Sequence, residues 1–193
     1  MLIERLIVGS LQTNCYLLGC KDTKKIVIID PGSEGSKIIS KIKELNLIPQ
    51  FILLTHGHED HIGAVNKLKK LYQIPIYIHK NDNEMLLHNN ITTDTFLKDK
   101  DIIELGNLKL EIIHLPGHTA GSIGVKCQDI VFSGDTLFKN GIGRTDLPGG
   151  SYIDIMNSIK NKLLILPNSI IIFPGHGEKT TIEMEKKYNT LLK

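Results

Sequence analysis

Apolar residues fall along the chain in short dense runs separated by stretches with helical spacing, and the two patterns take turns. Leu2 to Val8, Cys15 to Leu18 and Ile26 to Ile29 are rich in Ile, Leu and Val and predict short strands. Asp30-Pro31-Gly32 stops the last of them, and Ser33 stands where it can cap a helix carrying Ile38, Ile39, Ile42 and Leu45. Phe51 to Leu54 predicts a buried strand, Ala64, Val65, Leu68 and Leu71 the next helix, and Ile76 to Ile78 a further strand. A short helix over Asn81 to His88 and a polar connection over Asn89 to Lys100 complete this half.

From Asp101 onward the pattern is one of hairpins. Ile102 to Leu105 and Leu108 to His114 flank the turn Gly106-Asn107, and Ser122 to Lys126 is matched to pair with Ile130 to Ser133. Phe138 to Gly150 is too rich in glycine for either element and reads as a loop. A helix capped by Ser151 runs to about Leu164, Ile170 to Phe173 is the last strand, and Thr180 to Leu192 the last helix. Strands and helices alternate in both halves, which predicts a layered α/β domain instead of a barrel or a bundle.

Composition narrows the picture. A length of 193 residues suits one domain, and 41% apolar with 23% charged residues is the balance of a soluble globular chain. The 23 basic and 21 acidic side chains leave a net charge of +2, spread along the sequence, which gives no electrostatic ground for nucleic acid or an anionic membrane as partner. No run approaches the roughly 18 apolar residues of a membrane span, and Met1-Leu2-Ile3-Glu4-Arg5 breaks its apolar run with two charges and offers no small-residue cleavage site, so no secretory leader is expected. Cys15, Cys20 and Cys127 are odd in number and lack CxxC spacing, so they read as thiols in or near the core. The compartment these features suggest is the cytoplasm.

The informative segment is Thr55-His56-Gly57-His58-Glu59-Asp60-His61, directly after the strand Phe51 to Leu54. Imidazole and carboxylate donors this dense suit zinc, iron or manganese. His56 and His58, two apart in extended chain, point the same way and can share an ion. Asp60 and His61, past the turn that Gly57 permits, can face a neighbouring position. So many polar groups crowded together are costly unless cations hold them. The remaining donors fall at equivalent places: His118 after Leu115-Pro116-Gly117, Asp135 after Phe132-Ser133-Gly134, and His176 after Phe173-Pro174-Gly175. Four strand-end turns that each deliver a ligand-type side chain point to one metal centre. His79, His88 and His114 lie outside the pattern and read as ordinary surface or core histidines.

In its HxHxDH motif (His56, His58, Asp60, His61), followed in order by His118, Asp135 and His176, the chain resembles the metallo-β-lactamase fold superfamily over nearly its whole length. The resemblance implies an α/β fold of the αββα sandwich type, with a dinuclear metal site at the edge of the two sheets. Carried over residue by residue, it implies one ion on His56, His58 and His118, a second on Asp60, His61 and His176, and Asp135 bridging them. The two divalent ions would be zinc, with iron or manganese as alternatives. Within the superfamily, Phe132 to Phe138 and Gly141 to Gly149 are similar to the glyoxalase II-like hydrolases, which cleave thioesters such as S-lactoylglutathione. The chain looks like their short branch, a single domain over residues 1–193. Only 17 residues follow His176 (193 minus 176), too few for the C-terminal helical domain that supplies glutathione contacts in the long enzymes. Ala120 stands where this group usually has proline, and Asp146 where the long enzymes have a glutathione-contacting tyrosine.

The implied activity is hydrolysis of a small-molecule thioester, with glutathione as a candidate carrier. Two ions sharing one water lower its pKa from about 15.7 towards roughly 7. A thiolate leaving group, whose acid has a pKa of about 8.5, departs without a separate general acid. Asp60 would both ligate and orient the metal-bound hydroxide. Arg144 is the candidate for a bidentate contact to a substrate carboxylate, or else a loop-fixing partner of Asp146, with Lys139 and Asn140 on the same rim. Asp30, Thr55 and Ser122 are expected behind the ligands, holding a histidine or the metal loop in place. The rival reading on the same fold is a mononuclear iron persulfide dioxygenase, similar through Gly143 to Asp146, with one iron on His56, His118 and Asp135. A nuclease of this fold would want a basic surface or an inserted arm, and the sequence supplies neither.

Overall fold

In the computed structural model, which describes residues 1–193, the strands gather into two mixed six-stranded sheets. In the first sheet β1 (Leu2–Val8), β2 (Thr13–Gly19) and β3 (Lys25–Ile29) form an antiparallel meander. β4 (Ile48–Leu53), β5 (Ile76–His79) and β6 (Thr95–Leu97) then add in parallel, in the order β1-β2-β3-β4-β5-β6. Short turns permit antiparallel neighbours, whereas parallel ones need crossovers. Those are supplied by α1 (Gly35–Glu44), by α2 (Glu59–Ile62) with α3 (Val65–Tyr72), and by α4 (Asn83–His88).

The second sheet begins with the hairpins of β7 (Ile102–Leu105), β8 (Leu108–His114), β9 (Ile123–Cys127) and β10 (Ile130–Gly134). A separate small hairpin follows, β11 (Leu137–Phe138) with β12 (Gly141–Ile142). Next, α5 (Tyr152–Ser158) and a π-helical turn over Ile159–Leu163 lead to β13 (Ile171–Pro174), which lies parallel to β10. β14 (Thr180–Thr181) and α6 (Ile182–Tyr188) end the fold, and the sheet order is β14-β13-β10-β9-β8-β7.

Three apolar layers stack these elements into an αββα sandwich. Ile38, Ile42, Val65 and Leu68 of α1 and α3 cover Ile26, Ile28 and Ile52 on one face of the first sheet. Its other face, with Val27, Ile29 and Leu53, meets Leu110, Ile112, Val125 and Phe132 of the second sheet. Ile155, Ile159 and Leu163 then cover Val131 and Ile172 from behind. Successive residues of β3 and β4 therefore serve two different cores. This is why these strands read as continuous apolar runs and not as alternating ones.

Several local features depart from the sequence expectation. Ser33 does not cap α1; the residue before the helix is Glu34, in a left-handed conformation (φ 49°), and no side chain caps it. Glu34 Oε2 instead accepts from Gly9 N at 3.0 Å, which ties the helix start to the β1–β2 turn. The polar connection contains β6, whose exposed Thr95 and Phe96 gave little periodicity. The glycine-rich loop contains β12, one arm of a hairpin whose strands are two residues each and too short to carry a pattern. The last helix is divided into β14, α6 and a 3₁₀ turn over Thr190–Leu192, with Thr181 capping α6 through Met184 N. Ser151 caps α5 as expected, accepting from Asp154 N. All three cysteines are buried and unpaired, and no helix is long and apolar enough to cross a membrane.

Candidate metal centre

The ends of β4, β8, β10 and β13 deliver the donor-rich turns to one edge of the sandwich. After β4 the backbone bends at Thr55 and His56, is extended at His58 (φ −66°, ψ 147°) and turns helical at Glu59. One seven-residue segment thus presents His56 from a bend, His58 from extended backbone and Asp60 and His61 from a helical turn. Close approach of neighbouring backbone makes this possible. A Cβ on Gly32 would lie 1.6 Å from the Asp60 carbonyl oxygen, and one on Gly175 would lie 2.1 Å from Asp135 Oδ1.

The donors form two groups. His58 Nδ1 and His118 Nε2 face each other at 2.9 Å, with the His56 ring packed edge-on to both. On the other side His61 Nε2 lies 3.2 Å from His176 Nε2 and 3.4 Å from Asp60 Oδ2. His176 Nε2 is in turn 3.2 Å from Asp60 Oδ2. Asp135 stands between the groups, with Oδ2 3.6 Å from His118 Nε2 and 3.4 Å from His176 Nε2, and Oδ1 3.5 Å from His61 Nε2. Metal–nitrogen bonds of about 2.05 Å in a tetrahedral shell set donors about 3.3 Å apart, so each triad has the span of one ion's ligand set. Asp30 with His56 and His61 also falls within one ion's reach. Asp30 is already engaged, however: Oδ1 accepts from Thr55 N at 2.8 Å, and Oδ2 from the Thr55 hydroxyl at 2.6 Å and His61 Nδ1 at 3.0 Å.

Contacts on the far ring nitrogens orient the imidazoles. The Thr55 hydroxyl gives its proton to Asp30 and offers a lone pair to His56 Nδ1 at 3.1 Å. His118 Nδ1 donates to the Arg144 carbonyl at 2.9 Å, and His176 Nδ1 to the Leu11 carbonyl at 3.0 Å. With His61 Nδ1 on Asp30, the Nδ1 contacts of four of the five rings leave Nε2 as the nitrogen turned to the cluster.

The residues present fit a pair of divalent cations. His56 Nε2 and Asp135 Oδ1 are buried without any hydrogen-bond partner. Leaving such atoms bare costs about 1–3 kcal/mol each, and a cation satisfies both. Burial and the neighbouring imidazoles hold His56 well below the ordinary histidine pKa, and burial with His118 pushes His58 down to about 4. Both are therefore neutral near pH 7, the form of imidazole that can bind a metal. Around the second triad the balance reverses. Burial opposes the charge on His176, but Asp135 and Asp60 outweigh it and push the ring up to about 10. His61 is raised in the same way by Asp135 and Asp30 against its burial. Burial favours the neutral form of Asp60 and Asp135 too, yet His176 and His61 hold both carboxyls below the usual range.

Beyond the seven donors, the rim is self-contained, and Arg144 takes the loop-fixing partner that is one of its two sequence readings. Arg144 makes a bidentate pair with exposed Asp146 at 2.8 and 2.7 Å. Lys139 pairs with Glu178, and the Asn140 backbone donates to Glu185. Ser122 reaches the backbone and hydroxyl of Thr119, one residue beyond His118, and no histidine. Some contributors carried no sequence signal. Thr13 donates to Asp60 Oδ2 at 2.9 Å, Asn14 Nδ2 binds the carbonyls of Pro174 and Gly177, and buried Tyr16 reaches Pro174 O at 2.7 Å. Asp82, also unforeseen, lies in the 3₁₀ turn Lys80–Asp82 that follows β5, in no recognisable motif. His79 and His114 stack on each other at 4.1 Å, away from the donors.

Comparison with known proteins agrees with this geometry. A family model described as the metallo-beta-lactamase superfamily matches residues 8–176. The hydroxyacylglutathione hydrolase GloC of Haemophilus influenzae is 41% identical, with 100% of this chain and 98% of that protein covered. The crystal structure of the B3 metallo-beta-lactamase BLEG-1 superposes with a TM-score of 0.93 at 38% identity, over 99% of both chains. The di-iron-bound form of TTHA1623 does so with a TM-score of 0.85 at 33% identity, over 98% of this chain and 100% of the other.

Proposed function

Because the chain belongs to the metallo-β-lactamase superfamily, we propose that it is a metallo-hydrolase of the glyoxalase II type, cleaving a small-molecule thioester with the help of two divalent ions. One observation carries the dinuclear reading: the Asp135 carboxylate lies within 3.6 Å of donor atoms in both triads. The di-iron form of a relative supports it, and the hydroxyacylglutathione hydrolase relative supports the substrate class. His56, His58 and His118 would hold one ion and Asp60, His61 and His176 the other, zinc being the first candidate.

Bound there, such ions supply a water acidic enough to react near neutral pH and a Lewis acid for the carbonyl oxygen. Asp60 orients the reacting water. Its Oδ2 is fixed by the Thr13 hydroxyl and His176, while Oδ1 has no protein donor and would be free to accept from such a water. The leaving thiolate, with an acid pKa of about 8.5, departs without a proton, so the chain needs no general acid. Substrate selection falls to the rim. A carboxylate on the substrate would compete with Asp146 for the exposed fork of Arg144, with Lys139 and Asn140 beside it.

The test is protein loaded in turn with zinc, manganese and iron and assayed on S-lactoylglutathione and a simple acyl thioester. Parallel arms use a chromogenic cephalosporin, and glutathione persulfide with oxygen uptake. Turnover of a thioester, lost on chelation and in a folded His58→Ala variant, is the expected result. Oxygen uptake on the persulfide by protein holding a single iron, with no thioester turnover, would establish the dioxygenase instead.

A further inference from the structure

We propose that Asp82 is the positioning residue for the His56–His58–His118 half of the centre. One buried carboxylate clamps together the two loops that carry those three histidines and so sets the metal affinity of that half alone. The inference rests on reading these histidines as metal ligands and is independent of which bond the enzyme cleaves.

Asp82 ends the 3₁₀ turn Lys80–Asp82 that follows β5, and it is 0% exposed. Its Oδ2 accepts from Gly57 N at 3.0 Å and from the Thr119 hydroxyl at 2.7 Å, and its Oδ1 from Gly121 N at 2.7 Å. Gly57 N belongs to the peptide joining His56 to Gly57, with His58 next in sequence, and Thr119 directly follows His118. The same carboxylate therefore grips both loops within one residue of each imidazole. Both loops are shaped around it: a Cβ on Gly121 would lie 2.4 Å from Asp82 Oδ1, and one on Gly57 would lie 3.1 Å from the Asp82 carbonyl oxygen.

The charge matters as well as the hydrogen bonds. None of the ion pairs in the fold includes Asp82. A fully buried carboxylate without a cationic side chain is costly to ionise, and divalent charge held just beyond His118 and Gly57 would offset part of that cost. Asp30 is the counterpart on the other side, where it holds Thr55 and His61. Asp82 thus serves the His56–His58–His118 half alone, whereas Asp30 holds His61 directly and reaches His56 only through the Thr55 hydroxyl.

Asparagine at position 82 keeps one acceptor oxygen where three donors converge, so either amide orientation sets an NH₂ against a backbone N–H. The loops must then part slightly. Removal of such an outer support typically weakens metal binding about 10–100-fold.

The experiment titrates zinc into metal-free protein against a competing chromophoric chelator, with cobalt(II) absorption as a second readout. His58→Ala and His176→Ala identify which binding class belongs to which half. Asp82→Asn is expected to weaken, about 10–100-fold, only the class that His58→Ala abolishes. The class abolished by His176→Ala stays unchanged. Thr119→Val removes one of the donors and leaves Asp82 in place, so it keeps the question open to decision if Asp82→Asn does not fold. It should weaken the same class several-fold. Unchanged affinities in both variants, or equal weakening of both classes, overturn the proposal. Wild-type protein that binds no ion overturns the metal-centre reading itself, which separates the two failures.

Discussion

Replacing Asp30 with asparagine alters the proton inventory of a buried site while hardly changing its volume. In the folded chain Oδ1 accepts from Thr55 N at 2.8 Å, and Oδ2 from the Thr55 hydroxyl at 2.6 Å and His61 Nδ1 at 3.0 Å. An asparagine whose oxygen keeps the Thr55 N–H turns its NH₂ toward His61 Nδ1. That nitrogen must then accept, so the imidazole moves its proton to Nε2, the atom 3.2 Å from His176 Nε2 and needed by the metal. Restoring the metal-binding tautomer sets donor against donor, at about 1–3 kcal/mol for one unsatisfied buried group. At 1.4 kcal/mol per factor of ten this is about 5–150-fold in affinity for the ion held by Asp60, His61 and His176, with a smaller loss for the other ion because the Thr55 hydroxyl also loses its acceptor and turns its proton to His56 Nδ1. Competition titration with zinc, with urea denaturation as the check on folding, reads this directly. An unchanged second-ion affinity, or a loss confined to the His56–His58–His118 position, refutes the reasoning.

Proton release should accompany metal uptake, and its source is specific. His176, raised to about 10, and His61, also raised, must shed their protons, whereas His56 and His58 are already neutral. Calorimetry in buffers of different ionisation heat should therefore show release near pH 8, reduced in His176→Gln. Because the folded His176 pKa lies above the unfolded value, its contribution to metal-free stability is complete below about 6.5 and lost as pH rises through about 10. The wild-type urea midpoint should thus fall relative to that of His176→Gln across this window. Gly32→Ala forces a Cβ into the Asp60 carbonyl oxygen and should destabilise by about 1–3 kcal/mol while lowering metal content, read by urea unfolding and elemental analysis. Arg144→Gln breaks only an exposed pair, so the urea midpoint should barely move. If Arg144 holds a substrate carboxylate, KM rises about tenfold with kcat retained, and an unchanged KM removes it from the substrate site.

Much of this protein is legible in the chain alone, for reasons that are local. β3 and β4 are unbroken apolar runs because both faces are buried, and the period of α1 shows because one face meets a core while the other meets water. The metal donors are legible because they cluster in sequence or recur after a strand and a glycine turn, as His118, Asp135 and His176 do. The edge strand β6 and the β11–β12 hairpin were not legible. Their pairing is decided by neighbours distant in sequence, and two or three residues hold no period.

What the sequence by itself determined is the set of chemical groups: five imidazoles and two carboxylates at strand ends, with a superfamily's order. What only the tertiary structure decided is how those groups are held. Asp82 reaches Gly57 across 25 residues and Gly121 across 39, and Asn14 reaches Gly177 across 163. Such contacts leave no spacing to read, since they join loops that meet only when the two sheets pack. The same packing sets the Arg144 carbonyl against His118 Nδ1, across 26 residues. Ligand identity is a property of side-chain chemistry and travels with the sequence. Ligand orientation depends on backbone and buried carboxylates converging from distant segments, and it exists only in the folded chain.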